Sequence, residues 1–149
     1  MYPTENETRL WVAINLSQRL IYRKMDAALK EKRLPPLRWY DVLWDLERAG
    51  EKGKRPFELE QSLLFEQSNL SRLLRRMTNE SLLEERQFSR DRRGKILRVT
   101  EKGRVVRKNM WKIYGPLIHE YMSQIESESE LKQSSASLNR LVDCSVIED

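Results

Sequence analysis

Apolar side chains recur at helical spacing along most of the chain, and one long stretch of this kind lies near the N-terminus. Between Thr8 and Arg33 there is no glycine or proline, and apolar residues return to one face at intervals close to a heptad. This pattern predicts one long helix with the Thr8 side chain as its N-cap, after a loose arm at residues 1–7. Pro35 and Pro36 are predicted to end it, because the residue before a proline avoids the helical region.

Three shorter helices are predicted next. The first covers Leu37–Ala49 and stops at Gly50, a residue suited to the C-terminus of a helix. The second covers Phe57–Leu64, with Pro56 in its first turn. The third covers Gln67–Ser81 and has one apolar and one polar face. The predicted buried residues are Trp39, Leu43 and Leu46 in the first of these helices, and Leu70, Leu73, Leu74 and Met77 in the third.

A β-hairpin is predicted after these helices. Leu83–Phe88 and Ile96–Thr100 have the composition of strands, and Ser89–Lys95, which contains Gly94, is the turn between them. A long helix over Glu101–Ser127 follows, with a kink expected at Pro116 because proline removes a backbone hydrogen bond. A weaker helix is predicted over residues 129–144.

This order of elements predicts a mainly α chain of the α+β class, built as a winged helix-turn-helix. We expect one domain over residues 1–149, in which residues 36–104 bind DNA. The flanking helices, at 8–33 and 105–145, carry apolar stripes that so small a domain cannot bury well. A second copy of the chain would bury them, so a homodimer is predicted.

The charges are unevenly distributed, although the formal net charge is only +5. Six basic residues and one acid lie between Arg86 and Arg98, whereas six acids and two bases lie between Glu126 and Asp149. The middle of the chain is therefore the part suited to a polyanion.

Two segments are candidates for contact with double-stranded DNA. Small polar and arginine side chains on the fourth helix suit the edges of bases in a major groove. A basic hairpin tip suits phosphates and a narrow minor groove, where we place Arg93. The alternatives are a solvated amphipathic helix and a flexible charged loop. The major-groove candidates are Ser68, Asn69, Ser71, Arg72 and Arg75, and the phosphate candidates are Arg90, Arg92 and Lys95.

These segments resemble the multiple-antibiotic-resistance regulator (MarR) family over about half of the chain. Leu37–Gly50 resembles its second helix, Ser68–Met77 its recognition helix, Leu82–Arg86 its first wing strand and Asp91–Gly103 its wing signature. The chain departs from the pattern at Glu66, where many members have a capping serine or threonine.

The resemblance implies a homodimer held by the first, fifth and sixth helices, and a repressor or, less often, an activator. A twofold dimer should bind a near-palindromic operator. The resemblance also implies that Asp91 and Arg93 hold the wing, that Thr100 caps the next helix, and that Gly103 completes the signature. Control by a small ligand or by oxidation is typical of the family.

Other classes of function lack the residues they need. The single cysteine, Cys144, permits no intrachain disulfide, and the single histidine, His119, has no partners at the spacing of a metal site. No nucleophile and base set or phosphate loop is visible, so we expect neither an enzyme nor a cofactor. No apolar run is long enough for a membrane span, and we expect a cytoplasmic protein.

Aromatic residues are concentrated in the helices that join the predicted dimer platform to the DNA-binding part. They could simply fill the core, or they could line a pocket for a flat aromatic acid paired with an arginine. The candidate pocket residues are Trp11, Arg38, Trp39, Trp44, Trp111 and Tyr114. The leading hypothesis is thus a ligand-responsive DNA-binding regulator, and the alternative is a winged-helix protein–protein adaptor that does not read DNA.

Overall fold

The computed structural model describes residues 1–64, 68–87 and 94–146. In these ranges the chain forms six α-helices and one two-stranded sheet, which confirms the predicted fold class. The helices are α1 (Glu5–Glu31), α2 (Leu37–Ala49), α3 (Pro56–Ser62), α4 (Leu70–Asn79), α5 (Glu101–Met122) and α6 (Glu128–Val146), and the strands are β1 (Leu83–Gln87) and β2 (Lys95–Val99).

The start of α1 differs from the prediction. The helix begins at Glu5, and Thr4 is its N-cap. The Thr4 hydroxyl accepts a hydrogen bond from the Glu7 backbone N–H, and the Glu7 carboxylate accepts one from the Thr4 N–H. This reciprocal capping box satisfies two backbone donors that the helix leaves free. The assignment of Thr8 as N-cap and of residues 1–7 as a loose arm was therefore wrong.

Helix α2 lies at the centre of the core. Its residues Leu37, Val42, Leu43 and Leu46 are fully buried, and the predicted buried face of the helix is confirmed. Pro36 at its N-cap offers no side-chain acceptor, but the Asp26 carboxylate of α1 accepts the Leu37 backbone N–H at 2.8 Å. One carboxylate thus fixes where α2 begins relative to α1.

Helix α4 is shorter than predicted. Ser68 and Asn69 precede it, and it ends at Asn79 because Ser81 takes a left-handed conformation with φ of 60°. The Leu82 N–H then bonds back to the Met77 carbonyl, which closes the last turn. Residues 65–67, including Glu66 and the predicted start of this helix, lie outside the described residues.

The two strands pair antiparallel, with Leu83 opposite Val99 and Glu85 opposite Leu97. The two predicted strands are confirmed as an antiparallel pair. Strand β2 begins and ends one residue earlier than predicted, and Phe88, the predicted end of the first strand, lies outside the described residues. Lys54 adds a short bridge to the outer side of β2 through two backbone hydrogen bonds with Leu97, at 3.0 and 2.8 Å. The predicted turn covered Ser89–Lys95, of which residues 89–93 lie outside the described residues, whereas Lys95 belongs to β2.

The chain divides into two compact units, residues 1–114 and 115–149. Helix α5 runs through the boundary and ends at Met122, five residues before the predicted Ser127. The Ser127 hydroxyl instead accepts the Glu130 N–H and so caps α6. The kink at Pro116 and the functional ranges 8–33, 36–104 and 105–145 stay predictions. Among the described helices, none has the length and apolar character of a membrane span.

Gly53 combines a backbone conformation that favours glycine with a lack of space for a side chain. Its φ is 63°, and an added Cβ would lie 2.4 Å from the Leu97 carbonyl oxygen. Gly50 has a similar φ of 59° but open space around the position of a Cβ. We expect Gly50→Ala to lower the free energy of unfolding by about 1–3 kcal/mol through backbone strain alone. Gly53→Ala should cost about 1–3 kcal/mol more, because the backbone must also move.

Chemical denaturation of the two variants beside the wild type measures this difference. Equal losses for Gly50→Ala and Gly53→Ala would show that the contact with Leu97 does not constrain the turn.

Candidate nucleic-acid interface

A groove of about 150 Å³ lies between α4 and the base of the hairpin. Its walls bring together two elements that the sequence links only through the predicted DNA-binding role. Ser71 and Arg75 come from α4, and Lys95 comes from the first position of β2. The remaining lining residues are Pro56, Leu74, Glu85 and Leu97.

The outward face of α4 is polar and exposed. Ser71, Arg72 and Arg75 are exposed, whereas Leu70 and Leu74 are buried on the opposite face. The buried stripe was predicted from spacing alone, and three of its four members are buried. The exception is Leu73, which is half-buried.

The turn before α4 borders a second cavity, of about 420 Å³, against α3. Asn69 is the N-cap of α4, but its side chain makes no capping hydrogen bond. Ser68 and Asn69 therefore lie at the end of the helix rather than on its face. The cavity is lined by Pro56, Phe57, Glu60, Ser68, Asn69, Leu70 and Ser71.

Arg76 holds α4 against α2. Its guanidinium lies over the Trp39 ring, 5.4 Å from the centroid, and pairs with Glu80 at 3.4 Å. A cation over a tryptophan face is attracted by the negative potential of the ring. Arg76 therefore differs from Arg72 and Arg75, since its charge is already engaged within the protein.

The base of the wing is fixed by Thr100. Its hydroxyl accepts the Gly103 backbone N–H at 3.0 Å and lies 2.7 Å from the Ser81 carbonyl oxygen, to which it donates. Gly103 has no room for a side chain, because a Cβ would lie 2.3 Å from the Leu82 carbonyl oxygen. These contacts join the end of α4, β2 and the start of α5.

Lys54 forms a network that sequence reasoning missed. Its ammonium donates to both Asp45 carboxylate oxygens, at 2.8 and 2.7 Å, and to the Ser62 hydroxyl at 2.9 Å. Because the backbone of Lys54 also pairs with β2, this one residue ties α2, α3 and the hairpin together. No local motif signals such a network, since its members are 8 to 17 residues apart.

Only part of the predicted wing can be placed. Arg90, Asp91, Arg92 and Arg93 lie outside the described residues. Lys95 is described, and its ammonium pairs with the Glu85 carboxylate at 2.9 Å. Glu85, which was not among the predicted site residues, is therefore part of the groove.

The aromatic candidates separate into different places in the first unit. Trp11 is exposed on α1, Arg38 is exposed on α2, and Trp39 is buried beneath Arg76. Trp111 and Tyr114 instead pack with Tyr40, which the sequence reasoning had missed, at centroid distances of 5.1 to 5.9 Å.

Trp44 belongs to a mixed cluster of charged and aromatic groups. The Arg107 guanidinium lies 5.0 Å from the Trp44 ring centroid and bonds Glu47 at 2.6 Å. Burial acts to lower the pKa of Arg107, but hydrogen bonds with Glu47 and Tyr40 outweigh it and raise the pKa. Burial also raises the pKa of the Tyr40 hydroxyl, and the bond with Arg107 opposes that rise. The cluster therefore contains a permanently charged guanidinium beside a neutral phenol.

Tyr114 is held neutral in the same way. Burial is the main cause that raises the pKa of its hydroxyl, and the nearby Tyr40 and Asp41 add to it.

Within the described part of the chain, no group of histidine, cysteine or carboxylate side chains is arranged to hold a metal ion.

Comparison with known proteins agrees with this geometry. Residues 40–103 match the family of winged helix DNA-binding domains. No curated protein sequence matches the chain.

Solved structures share its fold at low identity. A MarR family transcriptional regulator from Streptomyces coelicolor in complex with DNA is 19% identical, with a TM-score of 0.83 over 96% of this chain and 89% of its own. A mutant MarR from Escherichia coli complexed with operator DNA is also 19% identical, with a TM-score of 0.77 over 94% and 99%. An organohalide-sensing transcriptional regulator bound to 2,4-dichlorophenol is 23% identical, with a TM-score of 0.77 over 96% and 86%.

Residues 40–103, which run from α2 to the start of α5, are thus similar to winged helix DNA-binding domains. The fold as a whole is that of solved MarR-family regulators, so the predicted resemblance to that family is confirmed in the fold.

Proposed function

We propose that this protein is a sequence-specific repressor that binds a near-palindromic operator as a homodimer. The observation that carries the proposal is the groove beside α4, where Ser71 and Arg75 of the helix meet Lys95 of the wing on one surface. A helix that enters a major groove beside a strand pair that follows the phosphates needs this juxtaposition. Two proteins of similar fold were solved in complex with DNA, which supports a DNA-binding role for this fold.

The division of labour within the interface follows from side-chain chemistry. Arg72 and Arg75 carry planar guanidiniums, which can bond a guanine through two parallel hydrogen bonds. Ser68, Asn69 and Ser71 are short enough to let the helix approach the base edges. We assign Arg93 to the minor groove and the other basic wing residues, Arg90, Arg92 and Lys95, to phosphates.

Selection from a random duplex library, followed by binding measurements on the enriched sequence, tests this assignment. We expect Arg72→Ala to lose about 1–3 kcal/mol of binding free energy and to relax the preference at one base position. Arg76→Ala removes the same charge from the same helix, but from a side chain held over Trp39. This control should weaken binding without changing the preferred sequence.

Two outcomes would count against the proposal. Failure of the selection to enrich any sequence would favour an adaptor that uses the winged fold without reading DNA. An unchanged base preference in Arg72→Ala would remove that residue from the interface.

The homodimer is inferred from apolar side chains that the single chain leaves exposed. Leu10, Leu16 and Leu20 of α1 are all more than two-fifths exposed, as are Leu138 and Leu141 of α6. Burial of each is worth about 1.5–3 kcal/mol, so together they can support a tight association. Within a regulator, two copies would also supply the two recognition helices that a near-palindromic site requires.

Light scattering at low micromolar concentration should therefore give the mass of two chains. Leu16→Glu should shift the protein toward a monomer, because it places a charge in the proposed interface. Gln18→Glu adds the same charge on the same helix at a polar position and should remain dimeric. A stable wild-type monomer would contradict the inference.

We further infer that a small aromatic acid releases the protein from DNA. The groups that could receive it are the Arg107 guanidinium, the half-exposed ring of Trp44, and the cluster of Trp111, Tyr114 and Tyr40. An aromatic carboxylate could stack on a ring and pair with an arginine, whether Arg107 or the exposed Arg38. Trp11 and Trp39 remain part of this assignment, although Trp39 is largely covered by its neighbours.

Tryptophan fluorescence, titrated with phenolic and aromatic acids beside a DNA-release assay, tests this inference. We expect at least one compound both to quench the emission and to lower operator affinity 5- to 150-fold, the range of roughly 1–3 kcal/mol typical of coupled sites. Trp44→Phe and Trp111→Phe should each reduce the quenching. If no compound does both, the aromatic residues serve the core alone.

A further inference from the structure

The groove beside α4 contains a carboxylate where a surface for DNA would be expected to be wholly basic. Glu85 lines the groove together with Arg75 and Lys95, and its carboxylate lies 2.9 Å from the Lys95 ammonium. The side chains of Lys95 and Glu85 are 58% and 36% exposed, so an approaching phosphate can reach both.

The pairing of the strands fixes this arrangement. Glu85 stands opposite Leu97, and residues directly opposite each other in an antiparallel pair point to the same side of the sheet. Lys95 is two residues from Leu97 and therefore points to that side as well. Glu84 is the next residue along β1, points to the other side, and pairs with Arg86 at 3.5 Å.

We propose that the Glu85 carboxylate competes with a DNA phosphate for the Lys95 ammonium. This competition adjusts the affinity of the protein for duplexes. This inference rests on the proposed function, in which Lys95 contacts phosphate. Before binding, Lys95 is neutralised by a neighbour of its own hairpin. To reach a phosphate its ammonium must exchange one anion for another, and the displaced carboxylate is left beside a polyanion.

The cost of that exchange acts at short range. Repulsion between Glu85 and a phosphate is felt within a screening length of about 8 Å at physiological salt. An exposed ion pair contributes only about 0.2–1 kcal/mol, so Glu85 adjusts the affinity without abolishing binding. The positive charge of Arg75, which lines the same groove, is also partly offset by the Glu85 carboxylate.

The test compares Glu85→Gln with Glu84→Gln in the full-length protein. Both variants remove one negative charge from the same strand and keep the size of the side chain, but only the first faces the groove. Binding is measured by fluorescence anisotropy at physiological salt, on the selected operator and on a scrambled duplex of equal length. Thermal unfolding confirms that both variants remain folded.

We expect Glu85→Gln to raise the affinity for both duplexes by roughly 1.4- to 5-fold, the range that corresponds to one exposed ion pair. Glu84→Gln should give a smaller rise. In a Lys95→Ala background, Glu85→Gln should lose most of its advantage over Glu84→Gln, because the ammonium for which it competes is gone.

Three results would overturn the proposal. Equal rises for Glu85→Gln and Glu84→Gln would mean that only net charge matters. A loss of operator affinity in Glu85→Gln, with scrambled DNA unaffected, would mean that Glu85 reads a base, since a carboxylate can accept from the amino group of cytosine. An advantage of Glu85→Gln that persists without Lys95 would exclude the competition itself.

The failure of the proposed function would look different. If the wild type bound no duplex, or bound operator and scrambled duplex alike, the assignment as a sequence-specific regulator would fail. If the wild type discriminates and the two glutamate variants do not differ, only the role of Glu85 is wrong.

Discussion

Burial of α2 is the interaction on which the rest of the first unit depends. Four of its apolar side chains are fully buried, and burial of each is worth about 1.5–3 kcal/mol. Two acidic side chains of the helix also contact other elements, since Asp45 accepts a hydrogen bond from Lys54 and Glu47 accepts one from Arg107. Asp45 therefore helps to position the hairpin, and Glu47 helps to position α5.

The proposed interface for DNA takes its geometry from these attachments. Lys54 links α2 to β2, and Arg76 rests on Trp39 of the same helix. The recognition helix and the wing are thus both fixed to α2 rather than only to each other. Contacts of this kind, made behind the exposed side chains, hold those side chains at a constant separation.

Local patterns predicted the elements well where the determinants are local. The bounds of α2 follow from Pro36 and Gly50, and the buried face of α4 follows from the spacing of its leucines. The start of α1 also has a local determinant, because Thr4 and Glu7 have the spacing of a capping box. The prediction placed the N-cap at Thr8 instead. The site was harder to predict. Glu85 acquires its partner only when β1 pairs with β2, and Tyr40 meets Trp111 only when α5 packs on α2, so neither contact has a signature within one segment.

The bridge between Lys54 and Leu97 also constrains the order in which the chain can assemble. Its two hydrogen bonds close a loop of 43 residues (97 − 54), and the length-dependent part of the closure entropy is about 3 kcal/mol. Each hydrogen bond returns only about 1 kcal/mol, so the pairing cannot pay for the closure by itself. It must form after α2, α3 and α4 have packed and shortened the distance to be closed. The turn at Gly53 is therefore a late contact of folding, added to a core that already exists.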